Sequence, residues 1–151
     1  KPTSRQSSMP RPSLDEVMLS IACLLSTRAT CGKRQVGCVL VDSRGRILST
    51  GYNGVPSGFP HCTEVPCGGA GMPAGSDTCE AVHAEMNAVT DCHDTTRVHT
   101  CYVSVLPCNT CAKTLLNTGM EELVYLNDHE QSAKVLDFLK RGDISVRKAT
   151  F

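Results

Sequence analysis

The sequence predicts an α/β fold, a three-layer α/β/α sandwich around a mixed five-stranded sheet. Three observations carry this. Two β-rich runs near the amino-terminal third, "QVGCVLVD" and "RILSTGYN", are separated only by "SRG", which reads as an antiparallel hairpin. Past residue 79, helical and β-rich runs alternate, the pattern of parallel strands joined by crossover helices on both faces of a sheet. The chain has 151 residues, enough for one compact domain that buries roughly 70% of the surface its unfolded form exposes.

The first thirteen residues, "KPTSRQSSMPRPS", are polar and rich in proline and serine, and read as a flexible arm, with a single domain over 14–151. The arm has no apolar run of signal-peptide type, and no later segment reaches the length of a membrane span. In "SLDE", Ser13 stands three residues before Glu16 as a capping box, and Leu14, Val17, Met18, Ile21, Leu24 and Leu25 follow at helical spacing. These predict a helix over 14–28. The hairpin comes next, with Gly45 at a positive-φ position. Residues 54–78 hold many glycines and prolines but no periodicity, so a loop of that length needs another source of order, such as a metal. A helix over about 80–92, a strand "VHTCYVSV", a helix opening at "PCNTC", a strand "ELVYLN", a helix near 130–141 and a strand "ISVRK" complete the order.

Lys+Arg and Asp+Glu balance at 15 each, so charge predicts no attraction to a phosphate backbone and a small partner is the better expectation. Ten cysteines without an export signal point to a reducing, cytoplasmic setting in which thiols bind metal or do chemistry.

His83, Cys108 and Cys111 supply one imidazole and two thiols, each at the expected start of a helix, where the positive dipole end favours thiolate. Three protein ligands leave tetrahedral Zn2+ one open position, as catalytic sites do. Zinc with two thiolates and a neutral imidazole carries no net charge, so it acidifies water less than an all-histidine site and a nearby base becomes useful. Glu85 is that base. Its spacing from His83 suits a helix start at which one side chain holds the metal and the other points towards water and substrate. "HAE" alone proves little, and "CNTC" alone could be a redox dithiol or half a structural zinc site; their combination is far more specific.

H-x-E followed by P-C-x-x-C resembles the signature of zinc-dependent nucleobase deaminases. Over about 14–148 the chain is similar to the cytidine-deaminase superfamily and, more narrowly, to its deoxycytidylate (dCMP) deaminase branch. "VGCVLVDSRGRILSTGYNGVPSGFPHC", "CEAVHAEMNAV", "YVSVLPCNTCAKTLLNTG" and "ELVYLND" carry the likeness, and "STGYNGVPSG" separates the branch from nucleoside and RNA deaminases. The resemblance implies hydrolysis of dCMP to dUMP and ammonia for thymidylate (dTTP) synthesis, with Glu85 moving the protons. It implies that Asn53 and Ala84 contact the nucleotide, and that Arg28 meets its phosphate, with Lys33 and Arg34 as further candidates. A turn asparagine beside Gly54 and a solvated helix-end arginine are the alternatives for Asn53 and Arg28. By the same resemblance, Gly51, Tyr52, Asn53 and Gly54 contribute to a regulatory pocket of a homohexamer, activated by dCTP with Mg2+ and inhibited by dTTP.

Cys31, Cys62, Cys67 and Cys79 remain, flanking or within the long loop, and are expected to hold a second, structural Zn2+, with His61 as the substitute ligand. His99 and His129 have no partner visible in the sequence and are assigned no role. The competing readings are a tRNA adenosine deaminase, which calls for a basic face, and a non-catalytic zinc-binding module, which has no use for Glu85.

Overall fold

A computed structural model describes residues 10–30, 34–61 and 79–150. The elements are α1 (Leu14–Ser26), β1 (Gly37–Val41), β2 (Ile47–Tyr52), α2 (Ala84–Asp91), β3 (Thr100–Val105), α3 (Asn109–Leu116), β4 (Glu122–Asn127), α4 (Ser132–Arg141) and β5 (Ser145–Lys148). The sheet order is β2-β1-β3-β4-β5. β1 pairs antiparallel with both β2 and β3, while β3–β4 and β4–β5 are parallel, so the sheet is mixed.

Alternation along each strand divides the core between the two faces. Val39, Val41, Tyr102 and Val124 meet Met18, Leu19 and Ala22 of α1 on one face. Cys38, Leu40, Cys101, Val103, Leu123 and Tyr125 face the other way, towards α2, α3 and α4. One helix therefore covers one face and three cover the other, completing the expected sandwich.

Ser13 accepts a hydrogen bond from Glu16 N at 3.1 Å, as the capping box requires, and Gly45 turns the hairpin at φ +78. Two expectations shift. α1 buries Met18, Leu19 and Ala22, whereas Leu14, Val17 and Leu24, expected on its inner stripe, are exposed. α2 begins at Ala84 rather than near 80, because Val82 is drawn into an antiparallel bridge with Gly54, its N–H donating to Gly54 O at 2.8 Å.

Gly51 governs how closely α2 lies on β2. A Cβ there would fall 2.3 Å from Ala84 O and 2.6 Å from Ala88 N. Two side-chain bonds use this contact: Ser49 Oγ donates to Ala88 O at 2.8 Å and Asn87 Nδ2 to Tyr52 O at 2.8 Å.

On the other face, the Arg147 guanidinium reaches Asp15 of α1 at 2.7 Å and Glu122 of β4 at 3.1 Å, and Tyr102 Oη donates to Asp15 at 2.9 Å. The hydrogen bond from Arg147 holds the Asp15 carboxyl below the usual carboxylate range. A depressed folded-state pKa adds stability above the unfolded value, near 3.9, and loses it as pH falls through the folded value. Asp15→Asn is therefore expected to cost about 1 kcal/mol at pH 7, allowing for solvent screening. In urea titrations the gap between variant and parent should close as pH drops below about 4; a gap independent of pH would show that the charge is not its source.

Candidate active site

The polar centre of the molecule lies at one end of the sheet, where β3 and β4 finish, β1 begins and β2 passes into Asn53. Catalytic groups collect there because the turn after β3 leads through Leu106 and Pro107 into α3, and the bridge at Val82 aims the start of α2 at the same point. His83 is the N-cap residue of α2 and Cys108 that of α3, and neither side chain makes a cap hydrogen bond. Both point instead to a common centre with Cys111.

The ligand atoms of His83, Cys108 and Cys111 lie within 4.8 Å of one another. His83 Nδ1 is 3.3 Å from Cys111 Sγ and 3.5 Å from Cys108 Sγ. Tetrahedral zinc with usual bond lengths brings N and S to about 3.6 Å, so the donor set fits the ion and Nδ1 is the ligating nitrogen. The electrostatics agree. Cys108 is pushed down to about 3, first by the hydrogen bond from the Cys111 thiol and then by that from His83, while Cys111 is pushed up because it keeps the proton. His83 is raised, chiefly by its hydrogen bond to Cys108. Negative charge accumulates between the two sulfurs, and a dication would replace the protons held there.

His83 and Cys108 open onto a cavity of about 210 Å³, with Cys111 buried beside them. Val36, Leu106 and Val135 give it apolar walls able to enclose a flat ring, while Asn53, Glu85 and Lys134 supply polar groups. Glu85 is 4% exposed, and its burial raises the carboxyl to about 7. Ala84, fully buried at the first position of α2, lines the same cavity. So does Asn53, but its amide already holds the chain before β1: Oδ1 accepts from Val36 N at 2.8 Å and Nδ2 donates to Arg34 O at 2.6 Å. Arg34 lines the cavity and faces Glu130 at 3.8 Å.

A second cavity, of about 730 Å³, lies beside β2 and the end of α1. Arg28, expected on the substrate phosphate, lines this cavity and not the catalytic one within the chain. Gly51, Tyr52 and Gly54 also line it, so "GYNG" is divided, with Asn53 turned to the catalytic cavity. His61 lines the second cavity too. Among the described residues, two buried side-chain polar atoms have no partner, Thr30 Oγ1 and Asn109 Oδ1. Thr30 lines the second cavity and Asn109 the catalytic one.

Of the four cysteines assigned to a second metal, Cys79 is described, half-buried on the catalytic cavity wall. Cys31, Cys62 and Cys67, like Lys33, lie outside the described residues.

The sequence reading missed Asn109, His129, Gln131 and Lys134 on the catalytic cavity wall. Asn109 lies inside "CNTC" and its neighbours were a sufficient signal. The other three come from the segment after β4, where nothing local marks them.

Residues 12–127 match the family described as the cytidine and deoxycytidylate deaminase zinc-binding region. The chain belongs to this family. Among similar family members is a deoxycytidylate deaminase of Saccharomyces cerevisiae, 34% identical over 145 residues that make up 93% of this chain and 46% of that one. A deoxycytidylate deaminase of Mycobacterium phage D29 is 37% identical over 78% of this chain and 97% of its own length. The chain spans less than half the length of the yeast relatives from S. cerevisiae and Schizosaccharomyces pombe, at 46% and 44%. The crystal structure of a dCMP deaminase from the cyanophage S-TIM5, in complex with dCMP and dUMP, superposes with a TM-score of 0.75 at 26% identity, covering 93% of this chain and all of that one. No helix among the described residues is long and apolar enough to cross a membrane.

Proposed function

We propose that this chain catalyses the hydrolytic deamination of dCMP to dUMP and ammonia, feeding thymidylate synthesis. The observation that carries the proposal is the convergence of His83, Cys108 and Cys111 at the edge of a cavity that His83, Cys108 and the buried Glu85 line. It is supported by relatives named deoxycytidylate deaminases and by a similar structure crystallised with dCMP and dUMP.

His83, Cys108 and Cys111 would hold a zinc ion, which would supply Lewis-acid activation of water. The chain's own residues do the rest. Val36, Leu106 and Val135 enclose the base and exclude bulk water. Glu85 takes a proton from the attacking water and delivers it to N3 of the ring, then takes the proton of the hydroxyl now on C4 and passes it to the amine, which departs as ammonia while the carbonyl forms. The first-turn amide of Ala84 has no intrahelical acceptor and is free to donate to the ring carbonyl. Asn109 Oδ1, buried without a partner, accepts from a donor on the nucleotide. Arg34 and Lys134 provide positive charge for the phosphate, with Asn53 holding the segment that bears Arg34.

The second cavity is the place for dCTP and dTTP as effectors. Arg28 offers a cation and Thr30 an unpaired hydroxyl, while Asp91 on the same cavity can meet a Mg2+ that accompanies a triphosphate. Leu14, Val17 and Leu24, exposed along α1 at helical spacing, supply apolar surface for a homohexamer to bury. A structural zinc on Cys31, Cys62, Cys67 and Cys79 remains part of this reading, as does a reducing, cytoplasmic setting that keeps the ligand thiols reduced. A tRNA deaminase neighbour is 16% identical at TM-score 0.60 and shares the fold; the balance of 15 Lys+Arg against 15 Asp+Glu does not favour that activity.

Ammonia release measured over dCMP, CMP, deoxycytidine, cytidine and dCTP is expected to rank dCMP first, and to respond to added dCTP and dTTP. Preference for a free nucleoside would reject the nucleotide assignment. The same preparation should contain two zinc ions per chain; one would remove the structural site.

A further inference from the structure

His129 lies between β4 and α4, and its ring makes two hydrogen bonds with opposite requirements. Gln131 N donates to Nδ1 at 3.0 Å, and Nε2 lies 3.3 Å from the carbonyl oxygen of Pro107. A backbone amide only donates and a carbonyl only accepts, so one neutral tautomer, with its proton on Nε2, satisfies both. The main chain around the ring is fixed as well. His129 N donates to Ser132 Oγ at 2.8 Å, and Ser132 N donates back to His129 O at 3.0 Å.

Pro107 is fully buried and immediately precedes Cys108. The α3 ladder begins with Cys108 O, which accepts from Ala112 N at 2.9 Å. Pro107 O therefore lies outside the ladder, and a buried carbonyl needs a donor from elsewhere. His129 provides it. The bond ties the metal-ligand turn to the segment that contributes Gln131 and Lys134 to the wall of the catalytic cavity.

We propose that His129 is a positioning residue for substrate binding: by pinning the β4–α4 segment to Pro107 it sets the distance between the nucleotide-facing wall and the metal ligands. The proposal rests on the deaminase reading of the site. Errors of about 1 Å in such distances can cost 10²-fold. The nucleotide beyond its base meets this wall, whereas Glu85 and the three metal ligands stand on other elements. Loss of the clamp should therefore weaken binding and spare the chemical step.

The test uses the full zinc-loaded chain with His129→Ala, His129→Asn and His129→Gln. Glutamine places an amide N–H about where Nε2 stands and restores the donor to Pro107; asparagine is too short to reach. KM for dCMP is expected to rise on the order of 10-fold or more in the alanine and asparagine variants, with kcat within about 3-fold and zinc content unchanged. Glutamine should return KM to within about 3-fold of the parent. Unchanged KM in the alanine variant, a fall confined to kcat, or glutamine no better than asparagine would each overturn the proposal. A long-range 1H–15N imidazole spectrum supplies a check that needs no substrate: the proton is expected on Nε2, and finding it on Nδ1 refutes the clamp. If the parent releases no ammonia from dCMP, the deaminase reading fails, and the spectrum still decides the clamp.

Discussion

Replacing Glu85 with glutamine is expected to lower ammonia release from dCMP by about 10²–10⁴-fold, the usual contribution of a positioned general acid and base. The substitution is nearly isosteric, and Glu85 is 4% exposed, so packing should survive it. Glutamine can donate and accept hydrogen bonds but cannot take a proton from water and pass it on. Zinc content and dCMP affinity should stay near the parent values because the candidate ligand group, His83, Cys108 and Cys111, does not include Glu85. Loss of activity together with loss of zinc would indicate a collapsed site and not a missing proton carrier. Turnover close to the parent value would take Glu85 out of the chemistry altogether.

Gly51→Ala should be a damaging small change at the edge of the sheet that carries α2. The added Cβ would lie 2.3 Å from Ala84 O and 2.6 Å from Ala88 N. Both are backbone atoms of α2 and cannot rotate away. The helix must shift, and overpacking of this kind costs about 3 kcal/mol, which for a domain of this size lowers Tm by about 6–12 °C. His83 stands at the N-cap position of the same helix and Glu85 is in its first turn, so a variant that still folds should lose activity through KM and kcat together. Calorimetry and ammonia release on the purified variant check both parts; a Tm and a rate unchanged from the parent would mean that α2 tolerates the displacement.

The strands and the hairpin were legible because their signals are local. "QVGCVLVD" and "RILSTGYN" carry β-branched residues on either side of Gly45, whose φ of +78 suits glycine. The candidate ligand group was legible for a different reason: thiols and an imidazole at helix starts form a chemical pattern that composition seldom produces by chance. The start of α2 was misplaced because the pairing of Val82 with Gly54 is a tertiary contact, and it overrides helix propensity between 80 and 83. The α1 stripe misled similarly. Leu14, Val17 and Leu24 have helical spacing, yet the sheet meets the helix along Met18, Leu19 and Ala22. Arg28 lines the second cavity of this chain, a placement that no local signal in the sequence marks. His129 gave no signal at all, since its two partners come from a neighbouring amide and from a turn 22 residues away.

His83 and Cys108 open their helices without capping them. A serine or aspartate at each start would add about 1 kcal/mol to its helix. The two starts meet where the candidate ligand atoms converge, so a bound ion would join the openings of two helices that lie 25 residues apart in the chain, and chelation should lower the thermal stability of both together.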